Sequence, residues 1–258
     1  MRVLMVGDVY GEPGRSALAR LLPRLKREHE IDLTVVNVEN AAGGFGVTAS
    51  LGKWFLDQGV DVMTSGNHIW DKKEVVEYIG KENLLLRPAN FPAGTPGAGH
   101  ITVKSGPHRV GVVNLMGRIF MSPIDCPFRK ADAILAEIGR ETRIILVDMH
   151  AEATSESLAM GWYLDGRATA VVGTHRHVQT ADERVLPGGT AYITDIGLTG
   201  PTDGVIGVDR AQIIQRFLTQ MPMRFQTAKG PAALSAVVIT VDPDTGRASA
   251  IRRLHLPA

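Results

Sequence analysis

The amino-acid sequence predicts an α/β protein with an open, mostly parallel β-sheet. Short apolar runs of strand length, several rich in valine and isoleucine, alternate with segments whose apolar residues recur at helical spacing. Acidic, amide and histidine residues follow several of these runs directly, where open α/β sheets place their ligands. The chain of 258 residues is long enough for one large core and too short for two, so residues 1–258 form a single predicted domain.

The first half of the chain repeats a strand pattern followed by a helix pattern. The apolar start forms a strand that ends at Gly7, and a helix follows over about residues 15–28, where leucines recur at helical spacing. The β-branched run at residues 33–38 predicts the second strand, and Thr48 is the predicted N-cap of the helix after it. The run at residues 60–64 predicts the third strand, with a short helix over about residues 71–79.

The second half begins with a connecting loop over residues 84–99, which are rich in proline, glycine and alanine. Strand runs at residues 101–104 and 110–115 flank Ser105-Gly106-Pro107-His108, a predicted hairpin turn. A helix over about residues 130–141 leads to a strand at 144–149, and a helix with Leu158 and Trp162 leads to a strand at 168–172. Beyond these, we predict a short strand at 191–194, a helix over about residues 209–219 and a late antiparallel strand at 234–241.

The composition limits the partners and the compartment. A net charge of +1 lacks the basic excess of proteins that bind duplex nucleic acid or membrane surfaces. No run approaches the ~18 apolar residues of a transmembrane helix, and the apolar start is too short for a signal peptide. The single cysteine, Cys126, cannot form an intrachain disulfide, which favours a reducing cytoplasm. We expect a cytoplasmic homo-oligomer that binds a small molecule rather than a membrane or a nucleic-acid duplex.

His175 and His177 lie one residue apart, shortly after the strand run at residues 168–172. Residues two apart in extended chain point the same way, so these two imidazoles would face one spot. Paired imidazoles of this kind indicate a transition-metal site. For this stretch alone, two loop histidines without a ligand are the alternative interpretation.

Other polar residues follow the ends of the remaining strand runs. The ends of parallel strands share one edge of a sheet, so these residues should converge with the two histidines on one cluster: Asp8, Glu39, Asn40, Asn67, His68 and His150. The mixture suits transition metals better than calcium, which prefers oxygen ligands alone. One centre rarely needs more than four protein ligands, so the set indicates two ions ~3.5–4 Å apart that share Glu39 and a hydroxide.

The same residues resemble the signature of the calcineurin-like metallophosphoesterases, through Gly7-Asp8, Gly66-Asn67-His68, His150 and His175-Arg176-His177. The chain is most similar to the bacterial YmdB-type branch, a group of 2′,3′-cyclic nucleotide phosphodiesterases. The matching stretches are residues 38–44, 150–156, 177–182 and 194–201, and the resemblance spans nearly the whole chain. The chain departs from the wider superfamily at Tyr10, where a histidine is usual, and at Glu39-Asn40, where Gly-Asp is usual.

The resemblance implies a four-layer α/β/β/α sandwich of the metallo-dependent phosphatase type, with the metal site at the C-terminal ends of the strands. One ion would be held by Asp8, Glu39, Asn40 and His177, and the other by Glu39, Asn67, His150 and His175. Iron or manganese is the expected metal. The resemblance makes His68 the general acid that protonates the leaving oxygen, while the bridging hydroxide attacks a 2′,3′-cyclic nucleotide or a model phosphodiester.

Several points stay open at the level of sequence. Glu152 and Asp195 either orient ligand histidines or are structural. Arg176 either faces solvent or binds an anionic substrate group. The glycines around Phe45 either admit substrate, with Phe45 or Tyr10 stacking on a base, or form a tight loop. The alternative functions are a phosphoesterase for another small phosphate ester and a regulatory protein whose metal site is structural.

Overall fold

A computed structural model describes all of residues 1–258 and contains two mixed six-stranded β-sheets with helices packed against them. The elements in chain order are β1 (Arg2–Val6), α1 (Gly11–Glu28), β2 (Leu33–Asn37), α2 (Ala49–Asp57), β3 (Val62–Thr64), α3 (Val75–Ile79), β4 (His100–Ser105), β5 (His108–Met116), α4 (Pro127–Ile138), β6 (Ile144–His150), α5 (Thr154–Tyr163), β7 (Ala170–Thr174), β8 (Arg184–Val185), β9 (Ala191–Ile193), β10 (Gly200–Pro201), β11 (Gly204–Val205), β12 (Val208–Asp209), α6 (Arg210–Thr219), β13 (Ala232–Val241) and β14 (Ala248–Pro257). None of the helices has the length and apolar character needed to cross a bilayer.

The first sheet has the order β10-β13-β1-β2-β3, with β14 paired to β13. Strands β1, β2 and β3 are parallel, and β13 runs antiparallel to β1, which confirms the predicted late antiparallel strand. β14 is not predicted from the sequence. Its ten residues bury only Ala248 and Leu254, so the strand lacks the regular alternation that marks a half-buried strand.

The second sheet has the order β4-β5-β6-β7-β9-β8. Strands β5, β6, β7 and β9 are parallel. The predicted hairpin is confirmed, because β4 pairs antiparallel with β5 and Ser105 lies opposite His108. Gly106 has a φ of +57° in the turn, a conformation that glycine adopts without a steric penalty.

Three apolar clusters fill the spaces around the two sheets, and alternate residues of one strand belong to different clusters. Leu4 of β1 packs with α1 and α2, whereas its neighbour Val3 packs with residues of the second sheet. In the second sheet, Val112 of β5 faces the first sheet and Val113 packs with α4 and α5. Both sheets are therefore buried on two faces, which explains why their strands appear as continuous apolar runs.

Helix α1 begins at Gly11, about one turn earlier than the sequence predicted. The segment from Gly11 to Gly14 contains Pro13 and two glycines, a composition typical of loops. Proline is tolerated in the first turn because its missing N–H has no helical partner there. The backbone N–H of Gly11 donates instead to the carbonyl of Asn40, so the start of α1 is tied to the chain segment after β2.

Candidate metal centre

The polar residues singled out in the sequence come from the C-terminal ends of strands in both sheets. Asp8 follows β1, Glu39 and Asn40 follow β2, and Asn67 and His68 follow β3. The second sheet contributes three histidines, of which His150 ends β6 and the others, His175 and His177, follow β7. The cluster thus lies where the two sheets meet, whereas the strand pattern taken alone placed it along one edge of a single sheet.

Three potential ligand atoms surround a fourth, Nε2 of His150. Oε1 of Glu39 lies 3.1 Å away, Oδ1 of Asn67 lies 3.0 Å away and Nδ1 of His175 lies 3.0 Å away. Two donors each about 2.1 Å from one ion, at a right angle, are about 3.0 Å apart. The spacing of these atoms therefore fits adjacent positions in the coordination shell of one transition-metal ion.

The hydrogen bonds behind His150 fix which nitrogen faces this point. Oγ1 of Thr174 donates to Asp148 over 2.7 Å, so it accepts the proton on Nδ1 of His150 over 2.8 Å. Nε2 then presents a lone pair to atoms that are themselves acceptors. A single proton on Nε2 could serve only one of those three neighbours, whereas a metal ion can bind all four atoms.

The electrostatics of the pair formed by Glu39 and His150 favour positive charge at the same point. Burial disfavours the imidazolium, yet the Glu39 carboxylate outweighs this effect and raises the pKa of His150 to about 9. Burial also opposes ionisation of Glu39, and His150 outweighs it and lowers the pKa of Glu39 to about 2. Neither side chain is more than 1% exposed, so solvent does not screen this preference for a cation.

A second group of potential ligands lies beside the first. Nε2 of His177 is 3.2 Å from Oδ1 of Asn40. Asp8 is fully buried, and its Oδ1 has no hydrogen-bond partner. Burial raises the pKa of Asp8 well above its ordinary value, and the nearby carboxylates of Asp195 and Glu39 raise it further, although His150 opposes them. A buried carboxylate oxygen without a hydrogen-bond partner is unfavourable, so Asp8 also favours a cation at this point.

His175 and His177 reach the cluster from a turn, not from extended chain as the sequence analysis assumed. Their φ angles are 107° and 62°, in a region that non-glycine residues rarely adopt. Nε2 of His175 donates to Glu152 over 3.0 Å, and Nδ1 of His177 donates to the carbonyl of Ile206 over 2.9 Å. These bonds direct opposite ring nitrogens inward, so the two imidazoles face different halves of the cluster.

Both rings are neutral under ordinary conditions, as ligand imidazoles must be. Burial, together with the neighbouring His150, lowers the pKa of His175 to about 3. Burial likewise lowers the pKa of His177 below its ordinary value. Each ring therefore offers a free lone pair on the nitrogen that faces the cluster.

His68 lies next to these groups, and its ring makes its hydrogen bond and its aromatic contact with residues outside the proposed ligand sets. Its Nδ1 donates to Oδ2 of Asp71 over 2.8 Å, and its ring packs edge-on against Phe45, with the centroids 5.0 Å apart. The side chain is 28% exposed, and only its backbone N–H reaches the cluster, at Oε2 of Glu39 over 3.1 Å. Asp71 was missed in the sequence analysis, although a carboxylate three residues after a histidine is a signal that could have identified it.

Arg176 is held by an ion pair and hydrogen bonds to protein groups, and it also lines the cavity beside the cluster. Its Nε lies 3.3 Å from Oδ2 of Asp195, and its Nη1 donates to Thr154 over 2.8 Å. Asp195 is fully buried and also accepts the backbone N–H groups of Arg176 and Gly197, over 2.9 and 2.8 Å. The ion pair between Arg176 and Asp195 holds the turn that carries His175 and His177. Asp195 thus contacts Arg176 rather than the ring of either histidine.

Tyr10, which follows β1 two residues after Asp8, is only 3% exposed. Its ring packs edge-on against His177, with the centroids 5.8 Å apart. A Cβ atom at Gly44 would lie 2.5 Å from the Tyr10 hydroxyl, and one at Gly207 would lie 2.7 Å from its ring. Tyr10 therefore supports His177 and two glycine-containing loops, and its burial leaves little of its face for a base.

Comparisons with known proteins agree over nearly the whole chain. A sequence model of the family described as YmdB-like protein matches residues 4–254. The chain is 52% identical over 254 residues to a 2′,3′-cyclic-nucleotide 2′-phosphodiesterase of Bacillus subtilis (strain 168), covering 98% of this chain and 96% of that protein.

Two crystal structures are also similar. A Thermus thermophilus protein described as hypothetical has a TM-score of 0.94 at 43% identity, covering 100% of this chain and 99% of that one. A Mycoplasma pneumoniae protein described as a novel phosphatase has a TM-score of 0.94 at 31% identity, covering 100% of this chain and 93% of that one.

Proposed function

The chain belongs to the YmdB-like protein family, and from that membership we propose that it is a metal-dependent phosphodiesterase that hydrolyses 2′,3′-cyclic nucleotides. The relative from Bacillus subtilis, which carries that activity in its name, is 52% identical over 98% of this chain. The observation in the structure that carries the proposal is the convergence of Glu39, Asn67 and His175 on Nε2 of His150.

Two ions would be held by overlapping sets of residues. The contacts around His150 support one set of Glu39, Asn67, His150 and His175, and the buried groups beside it support a second set of Asp8, Glu39, Asn40 and His177. Mixed imidazole, amide and carboxylate donors suit iron or manganese. When bound, such ions polarise the phosphoryl oxygens and lower the pKa of water, which provides a nucleophile at neutral pH.

His68 supplies the proton that the leaving oxygen needs. Asp71 accepts the hydrogen on Nδ1, so Nε2 is the nitrogen left to face a substrate. Proton donation by a positioned side chain typically accelerates such a step by ~10²–10⁴-fold. In a 2′,3′-cyclic phosphate the departing 2′-oxygen stays on the ribose, so the product is a nucleoside 3′-phosphate.

The remaining expectations belong to the same proposal. The three apolar clusters alternate along the strands in the way that a four-layer α/β/β/α sandwich requires, and they support that architecture for residues 1–258 as one domain. The homo-oligomeric state, the cytoplasmic location and the absence of nucleic-acid duplex or membrane partners stay predictions from the sequence.

A substrate comparison tests the proposal. Protein loaded with manganese or iron is assayed with 2′,3′-cyclic AMP, 3′,5′-cyclic AMP and bis(p-nitrophenyl) phosphate. We expect hydrolysis of the 2′,3′-cyclic nucleotide and the aryl diester, loss of both activities after chelation, and recovery when metal is restored. Full activity in the chelated protein would contradict a metal-dependent reaction, and a loaded protein inactive on all three would favour the regulatory alternative.

A further inference from the structure

The cavity beside the metal centre has an apolar wall that the proposed reaction does not use. The cavity holds about 340 Å³ and is lined on one part by Glu39, His68, His175 and His177. Another part is lined by four apolar side chains, Ile206, Val208, Ile213 and Phe225, which we call the apolar wall. None of these four side chains offers a ligand atom or a proton donor, so the wall takes no direct part in the proposed chemistry.

The wall is assembled from three neighbouring pieces of backbone. Ile206 lies in the turn between β11 and β12, Val208 begins β12, and Ile213 lies on α6. The segment that contains Phe225 is held against β12, because the N–H of Asp209 donates to the carbonyl of Gln226 over 2.9 Å. Val208 and Ile213 are 5% and 8% exposed and form the base of the wall, whereas Ile206 is 52% exposed and forms its rim.

A direct hydrogen bond fixes the wall relative to the metal centre. The carbonyl of Ile206 accepts the Nδ1 proton of His177 over 2.9 Å. The next residue, Gly207, packs so closely on Tyr10 that a Cβ atom there would lie 2.7 Å from the ring. The turn that carries Ile206 is therefore held by His177 on one side and by Tyr10 on the other. The wall thus has a fixed position beside the metal centre.

We propose that the apolar wall binds the nucleobase of the substrate, an inference that rests on the proposed phosphodiesterase function. One cavity is lined by residues of the metal centre and by the apolar wall, so a cyclic phosphate at the centre and its base can share it. The Arg216 guanidinium lies over one face of the Phe225 ring, 5.6 Å from the ring centroid, and the other face offers a stacking surface. The four side chains of the wall have no hydrogen-bond donor or acceptor. The wall therefore favours substrates that carry a base over substrates that lack one, and it does not distinguish purines from pyrimidines. Its substrates are nucleoside 2′,3′-cyclic phosphates, rather than cyclic phosphates that lack a base.

Steady-state kinetics on three substrates test this assignment. The substrates are 2′,3′-cyclic AMP, 2′,3′-cyclic CMP and the base-free glycerol 1,2-cyclic phosphate, and the variants are Phe225→Ala and Ile206→Ala. Phe217→Ala is the matched control, since that side chain lies on α6 but is 73% exposed. Thermal unfolding of each variant reports its folding, and the half-exposed Ile206 can be truncated with little loss of packing.

We expect the wild-type protein and the control to prefer both nucleotides to the base-free substrate by about tenfold or more in kcat/KM. Both wall variants should raise KM for the two nucleotides severalfold, with little change in kcat and no change for the base-free substrate. Equal kcat/KM for all three substrates in the wild type, or an equal loss on all three in folded variants, would overturn the proposal. A metal-loaded wild type that hydrolyses none of them would instead refute the proposed function.

Discussion

Oε1 of Glu39 lies 3.1 Å from Nε2 of His150, although the two residues are carried by different sheets and both side chains are buried. This contact directly links the C-terminal edges of the two sheets at the candidate metal centre. Because Glu39 also lies beside the residues of the second group, one carboxylate belongs to both proposed ligand sets. The contact therefore connects the packing of the fold to the proposed chemistry.

His68→Ala should preserve the metal content and lower kcat for 2′,3′-cyclic AMP by ~10²–10⁴-fold, because the leaving alkoxide loses its proton donor. The loss should be much smaller for bis(p-nitrophenyl) phosphate, since its leaving group departs without protonation. Parallel kinetics and metal analysis check both statements. A variant that loses its metal, or that loses the same activity on both substrates, would show that His68 is not the acid.

Asp71→Asn should lower kcat for 2′,3′-cyclic AMP by about tenfold and leave metal content unchanged, because an amide, which can donate as well as accept, orients the His68 ring less strictly than the carboxylate does. The effect is smaller than that of His68→Ala, since Asp71 is 41% exposed and solvent screens the pair. Asp57→Asn is a control in another exposed ion pair. An Asp71→Asn variant with the kinetics and pH profile of the wild type would contradict this positioning role.

Arg176→Met should lower the free energy of unfolding by about 2–3 kcal/mol, because it leaves the buried carboxylate of Asp195 without its cationic partner. The backbone N–H groups of residue 176 and Gly197 still donate to Asp195 in this variant. The loss of stability is therefore smaller than for a buried carboxylate with no remaining hydrogen bond. The double variant Arg176→Met/Asp195→Asn should be less destabilised than the sum of the single variants. Urea unfolding measures these differences. A raised KM with unchanged stability would instead mean that Arg176 binds substrate.

Asp182, which lies outside the metal centre, predicts how the stability of the fold depends on pH. Burial tends to raise its pKa, but hydrogen bonds from the hydroxyls of Thr194 and Thr180 outweigh burial and lower the pKa below its ordinary value of 3.8. A carboxylate with a lowered pKa in the folded state stabilises the fold above the pKa of the unfolded chain, and that stability is lost as pH falls through the folded value.

Asp182→Asn should therefore cost about 1 kcal/mol at pH 7, a modest value because the group is only partly buried. The difference from the wild type should shrink as the pH falls below 3.8. Urea unfolding at several pH values measures this trend, with exposed Glu137→Gln as the control. A difference that stays constant from pH 7 into the acid range would show that the charge of Asp182 is not the cause.

The positions of the potential ligands were predictable because each follows a recognisable strand. Apolar β-branched runs precede Glu39 and the turn that contains His175, and local sequence is enough to identify such strand ends. The existence of two sheets was not predictable in the same way. Which strands pair depends on contacts between distant segments, such as Val3 with Ile239, and no local pattern encodes them.

The apolar wall was missed for a related reason. Ile206 has a φ of 49° in a tight turn, a conformation that β-branched residues rarely adopt, so turn propensities gave no signal there. Phe225 lies far along the chain from every potential ligand, and only the fold brings it into the cavity. Asp71 was predictable in part, because its spacing of three residues from His68 is visible in the sequence. Only the structure shows the hydrogen bond between the two side chains.

Metal content per chain, measured by elemental analysis of the wild type and Glu39→Gln purified side by side, tests the central claim most directly. Glu137→Gln, an exposed carboxylate changed in the same way, is the control. We predict about two iron or manganese ions in the wild type and the control, and loss of both in Glu39→Gln, because this carboxylate belongs to both ligand sets. A wild type that binds one ion or none, or a Glu39→Gln variant that retains two, would contradict the shared site.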